Sequence, residues 1–181
     1  MVYLFLAEGF EEVEALCPLD LLRRAGVEVK LVGVGGMHVR GSHGIEVTCD
    51  CTTEQINLDR SLEMIILPGG MPGTTNLAAD ETVRRAISYA AQQGILIAAI
   101  CAAPMILGQM GLLEGRTAVC YPGFEKYLTG AEISQKSVVV DDTYITAKGM
   151  GVAHAFGLRL VSLLCGEQAA DDLSRGVCMP Q

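Results

Sequence analysis

The sequence predicts an α/β domain built on a doubly wound, mostly parallel sheet with helices on both faces. Short apolar runs without polar alternation recur along the chain, as strands covered on both faces require. Amphipathic stretches of helical period separate them, and glycine-rich turns stand where strands hand over to helices. The chain has 181 residues, 50% of them hydrophobic, which allows roughly 70% of the unfolded surface to be buried in one domain. Residues 1–181 are read as that single domain, with 167–181 as its C-terminal extension.

Residues 2–7 read as the first strand and 11–25 as the first helix, stopped by Gly26. Residues 27–34 make the second strand, and 39–51, with Gly41 and Gly44, a small hairpin. A strand at 64–67 opens into Pro68-Gly69-Gly70-Met71-Pro72-Gly73, ahead of a helix from about residue 80 to 93. Residues 86–113 carry no charge and are long enough to suggest a membrane span. Gln92-Gln93-Gly94, Pro104 and Gly108 divide them instead into a helix end, a buried strand at 95–100 and a second helix. Strand-like runs follow at 117–120, 137–141 and 144–147, then a long helix at 152–165 and a short amphipathic one at 167–173 before a polar end.

Composition excludes several partners. Against 21 acidic side chains there are 13 basic ones, a net charge of −8, and the basic residues come at most in pairs such as Arg23-Arg24. Nucleic acid and an acidic membrane surface both need clustered Lys and Arg, so neither is expected. Seven cysteines, with no Cys-x-x-Cys, are neither a disulfide framework nor a zinc motif, and the three histidines lack zinc spacing. No metal is expected, and a reducing cytoplasm is the simplest compartment. Without a Gly-x-Gly-x-x-Gly turn or a Walker loop, no nucleotide cofactor is expected either.

Chemistry in such sheets gathers beyond the carboxyl ends of the strands. Cys101 follows the strand at 95–100 directly and precedes Pro104, a residue suited to a helix start. An elbow there would aim free helix N–H groups at the sulfur and favour a thiolate, although a buried structural cysteine fits the same pattern. Glu14 shares an otherwise apolar helical stripe with Cys17, Leu21 and Ala25, so its carboxyl is expected to be desolvated and raised in pKa. Glu11 and Glu12 are expected to face water at the helix start. The N–H groups of Gly70 and Ala102 could form an oxyanion hole beside Cys101. His38 and His43 flank the hairpin as surface residues, and His154 reads as a core histidine.

In combination, these segments resemble a known family. Glu8-Gly9-Phe10-Glu11-Glu12-Val13-Glu14, Arg23-Arg24-Ala25-Gly26, Leu67-Pro68-Gly69-Gly70, Ala98-Ala99-Ile100-Cys101-Ala102-Ala103-Pro104 and Gly149-Met150-Gly151 are similar, in order, to the ThiJ/PfpI superfamily, nearest its deglycase (glyoxalase III-like) branch. The resemblance spans residues 2 to 166. It implies a flavodoxin-like sandwich, a homodimer and a site that needs no cofactor. It also implies that Cys101 is the nucleophile, that Glu14 hydrogen-bonds to it, and that Gly70 and Ala102 supply the oxyanion donors. The sequence departs from the pattern at three places. Ala102 replaces the His of the protease branch, which argues against a peptidase. Tyr121 stands where the deglycase branch often carries His before Pro122. His43 replaces an anion-binding arginine, while Arg24 matches, so Tyr121, Arg24 and His43 are assigned to orienting the substrate.

The leading expectation is a cofactor-free enzyme acting on reactive aldehydes such as methylglyoxal, yielding lactate or repairing glycated adducts. The alternative is a redox-responsive chaperone or stress protein that senses oxidation through Cys101. A role in thiamine-thiazole synthesis lacks a phosphate cradle to support it.

Overall fold

A computed structural model describes residues 1–179. The chain runs through β1 (Val2–Leu6), α1 (Glu12–Arg24), β2 (Val29–Gly33), the antiparallel hairpin β3 (His38–Arg40) and β4 (Glu46–Thr48), and a two-residue strand β5 (Cys51–Thr52). It continues through β6 (Met64–Leu67), α2 (Gly73–Ala79), α3 (Glu81–Gln93), β7 (Leu96–Ile100) and α4 (Pro104–Gln109). The last third holds β8 (Thr117–Ala118), β9 (Glu132–Ile133), β10 (Val138–Asp141), β11 (Tyr144–Ala147), α5 (Ala153–Cys165) and α6 (Glu167–Gly176).

Seven strands form the main sheet in the order β10-β11-β7-β6-β1-β2-β5, parallel throughout except for the β10–β11 hairpin at one edge. The α/β class and mostly parallel sheet read from the sequence are therefore present. The period-two pleat explains the unbroken apolar runs. Val2, Leu4 and Leu6 pack under α1, α5 and α6, whereas Tyr3 and Phe5 point to the opposite face under α3 and α4. Each Leu or Phe so buried contributes about 2 kcal/mol. Gly157 lets α5 approach α1 closely, because a Cβ there would meet Pro18 and Leu21.

The structure departs from the sequence reading where elements are too short for a periodic signal. Residues 51–52 leave the hairpin and rejoin the main sheet as β5 beside β2. Residues 117–120 contribute only β8, which pairs with β9 in a separate two-stranded sheet. The glycine-rich segment after β6 already winds into α2, and Asp80 caps α3 by accepting from Val83 N at 2.9 Å, which delays that helix by one residue. The C-terminal helix reaches Gly176 and tucks Ala170 against the α1–α5 layer; residues 180–181 of the expected polar end lie outside the described residues. No described helix is long and apolar enough to cross a membrane.

Candidate active site

The carboxyl ends of β1, β6 and β7, at the middle of the sheet, meet the N-terminal half of α1. Cys101 follows β7 with φ +66°, a left-handed conformation that costs a non-glycine residue about 1–2 kcal/mol. Its neighbours hold the bend on both sides: Cys101 N donates to Ala147 O at 2.9 Å, and Tyr121 N donates to Cys101 O at 2.8 Å. The turn leads at once to Pro104, the first residue of α4. The elbow expected from the sequence is thus present and over-determined by backbone bonds.

Glu14 reaches the elbow from α1. Its carboxyl is 1% exposed, accepts from Gly69 N at 3.0 Å, and meets the Cys101 thiol and the backbone N–H of Met150. Glu11 caps α1 by accepting from Glu14 N at 2.7 Å, fixing the turn that carries Glu14. Burial outweighs these hydrogen bonds and raises the Glu14 carboxyl to about 7. Burial also raises the Cys101 thiol, and the Glu14 charge and hydrogen bond push it further, to about 12. Only the N–H groups of Ala102 and Gly70, both aimed at the sulfur, act in the other direction.

These effects correct the expectation of a thiol ionised by the helix N-terminus. With six residues, α4 has a weak dipole, and a carboxylate shares the cavity. Between about 7 and about 12 the pair holds one proton and one negative charge, so a Cys101 thiolate forms as its proton passes to Glu14.

Two glycines make room for this contact. A Cβ on Gly69 would lie 2.5 Å from Glu14 Oε2 and 2.6 Å from Cys101 Cβ, with Sγ at 3.1 Å. Gly70 holds φ +88°, which turns its N–H toward the sulfur. Gly69→Ala is therefore expected to lower stability by about 1–3 kcal/mol and turnover by at least about tenfold. Urea denaturation and steady-state rates on the same preparation check both.

The site opens into a cavity of about 490 Å3 whose walls include Glu11, Glu14, His43, Cys101, Tyr121 and Lys148, with the 149–152 segment behind them. Of the residues read from the sequence, Cys101, Glu14, Gly70, Ala102, Tyr121 and His43 are brought together here. Tyr121 is half exposed and stacks edge-on against Phe124, with ring centroids 6.3 Å apart.

Within a single chain Arg24 is not brought in, which corrects its placement beside Cys101 of the same chain. It lies ten residues beyond Glu14 on α1, about 15 Å along the axis, and pairs with Asp20 at 2.6 Å.

Glu12 is the second correction, because it does not face water. It is 4% exposed and accepts from His43 N at 2.7 Å, from His43 Nδ1 at 2.8 Å and from Ile45 N at 3.4 Å. A Cβ at Gly41 would run into the Glu12 carboxyl, so the glycine-bearing hairpin wraps this side chain. Those hydrogen bonds outweigh burial, and the Glu12 pKa is lowered while that of His43 is raised. Gly41 is the signal in the sequence that the hairpin closes on something, whereas Gly44, at φ +86°, serves the turn and meets nothing within 4 Å. His154, read as a core histidine, is exposed on the first turn of α5.

The match to the DJ-1/PfpI family covers residues 1–163. The chain is 33% identical over 175 residues to Protein dj-1beta of Drosophila melanogaster, spanning 95% of this chain and 93% of that one. It is 30% identical over 173 residues to a Caenorhabditis elegans protein named glutathione-independent glyoxalase DJR-1.2, spanning 95% and 92%. The solved structure of oxidized Toxoplasma gondii DJ-1 superposes with a TM-score of 0.94 at 31% identity, over 99% of this chain and 98% of that one.

Proposed function

The chain belongs to the DJ-1/PfpI family, and from that premise we propose that it is a cofactor-independent cysteine enzyme converting reactive 2-oxoaldehydes such as methylglyoxal to 2-hydroxy acids. The observation that carries this reading is the convergence of the Cys101 sulfur, the Glu14 carboxyl raised to about 7, and the Gly70 and Ala102 N–H groups at the wall of one open cavity. The relative named as a glutathione-independent glyoxalase supports it.

Glu14 takes the thiol proton as Cys101 attacks the aldehyde carbon. The carbonyl π pair moves to oxygen, and the Gly70 and Ala102 N–H groups stabilise the resulting alkoxide, which gains a proton to become a hemithioacetal. Glu14 as carboxylate then removes the hydrogen from the former aldehyde carbon and returns a proton to the adjacent one. This converts the hemithioacetal to the 2-hydroxyacyl thioester, with no change in total oxidation state. Water cleaves the thioester to release lactate and the thiol. In a glycated adduct, the same steps would free the repaired amine.

The test is lactate formation from methylglyoxal by fully reduced protein, beside Cys101→Ser and Glu14→Gln. Lactate production that both substitutions suppress is expected. No lactate above background, with Cys101 demonstrably reduced, would exclude the reading. A second expectation concerns pH. Because Glu14 must be ionised to accept the thiol proton, kcat/KM should fall about tenfold per pH unit below about 7, and the residual activity of Glu14→Gln should lack that limb.

A second reading is favoured by the same N–H groups, which suit an oxidised sulfur as well as an oxyanion, and a solved relative is described as oxidized. In it, peroxide converts Cys101 to the sulfinic acid, held by protonated Glu14. Mass spectrometry after mild peroxide treatment checks this: oxidation confined to Cys101 is expected, and oxidation spread evenly over the seven cysteines would remove its basis. We also propose a homodimer. Val13, Met37 and Ile45 are large apolar side chains left exposed on α1 and around the hairpin, and sedimentation velocity should show twice the chain mass. Seven free cysteines fit a reducing compartment such as the cytoplasm.

A further inference from the structure

The hydrolysis of an acyl thioester needs a base for the attacking water, and neither Glu14 nor Tyr121 is suited to that part. Glu14 serves the proton transfers among the sulfur and the two substrate carbons, and its side chain, 1% exposed, also accepts from Gly69 N. Tyr121 offers a phenol hydroxyl, which suits it to orienting a carbonyl by hydrogen bonding. His43 has the features required. Its Nδ1 lies 2.8 Å from Glu12 Oε2, which selects the tautomer that donates from Nδ1. Its backbone N–H is fixed by the other Glu12 oxygen at 2.7 Å, so the loop as well as the ring is held in place. Among the described residues no hydrogen bond engages Nε2, and His43 lines the same cavity as Cys101.

We infer that His43, positioned by Glu12, is the general base that activates water to cleave the acyl thioester on Cys101. The inference rests on the proposed acyl-transfer chemistry of Cys101, but its test does not depend on methylglyoxal. His43 Nε2 takes a proton from water as the water oxygen bonds to the thioester carbon. The tetrahedral adduct then expels Cys101 as the thiolate, breaking the C–S bond. The acid product leaves, the imidazolium returns its proton to the sulfur or to solvent, and no electron donor or acceptor is consumed. Glu12 touches neither water nor substrate, so it is a positioning residue.

The groups facing His43 set its pH dependence. Glu12 lies on one side, with Glu11 beside it on α1 and the Ser42 hydroxyl 3.2 Å from Nδ1. Glu14, Cys101, Tyr121 and Lys148 share the cavity. Glu12 raises the imidazole above its ordinary range, so deacylation should rise with pH through a limb higher than that of a free histidine.

The experiment acylates Cys101 with p-nitrophenyl acetate, removes the excess ester and follows loss of the acetyl group by intact-mass spectrometry. His43→Ala should deacylate about a hundredfold more slowly than wild type, and free imidazole should restore much of the rate. Glu12→Gln should move the pH limb down toward the ordinary histidine value of about 6.5, which a merely structural role for Glu12 would leave in place. Equal deacylation in wild type and His43→Ala would overturn the inference. So would a chelator that slows wild type to the level of His43→Ala, since Glu11, Glu12 and His43 would then be acting through a metal ion. Normal His43-dependent deacylation without lactate from methylglyoxal counts against the proposed substrate alone, whereas lactate formation with equal deacylation counts against His43 alone.

Discussion

Cys101→Ser is expected to lower kcat for methylglyoxal by at least about a thousandfold, equivalent to about 4 kcal/mol of transition-state stabilisation. The serine hydroxyl occupies nearly the same volume at the same left-handed position, so the fold should be retained. Its pKa lies far above that of a thiol, however, and Glu14, at about 7, cannot take its proton to a useful extent. The Gly70 and Ala102 N–H groups and the cavity remain, so binding of the hydrated aldehyde should persist while turnover disappears. Steady-state kinetics with circular dichroism on the same samples separates that outcome from unfolding.

The second large effect is on stability and has the opposite sign to the effect on activity. An ordinary glutamate titrates near 4.5, and in the folded protein Glu14 titrates at about 7. Below about 4.5 the carboxyl is neutral both folded and unfolded, and it contributes no pH dependence. As pH rises from there toward 7, the unfolded chain releases the proton while the folded one keeps it, so stability declines. Above about 7 the full cost of burying the charge is present, up to about 3 kcal/mol for a shift of this size. Glutamine never ionises and can still accept from Gly69 N. Glu14→Gln should therefore match wild type in urea at acid pH and exceed it by up to about 3 kcal/mol at mildly alkaline pH. A carboxyl kept at that cost is what a site serving function before stability would show.

Much of the site could be read from local sequence because its parts are local devices. A buried run ending in Cys101 and followed by Pro104 is an elbow, and Glu14 on an apolar stripe is a desolvated acid. Gly69-Gly70 after a strand marks a close approach. What could not be read depends on contacts across the chain. Glu12 precedes His43 by 31 residues, and its burial exists only once the hairpin folds over α1. Arg24 was placed by motif matching, and ten residues of α1 separate it from Glu14 within the chain. The charge on the sulfur was misjudged because a dipole argument counts the helix ahead of Cys101 but not the carboxylate facing it. In the fold, strands of four or five apolar residues were found and 117–120 was read two residues longer than β8, while β5 and β9, two residues each, carried no period to detect.

The most direct test of the proposed chemistry is rapid acid quenching of reduced protein mixed with methylglyoxal, followed by peptide mass spectrometry. An adduct of one methylglyoxal mass on Cys101 should appear before lactate does and decay as lactate accumulates, and it should build up in His43→Ala. Lactate formed with Cys101 unmodified at every time, or adducts confined to arginine, lysine and the other cysteines, would contradict a mechanism that runs through Cys101.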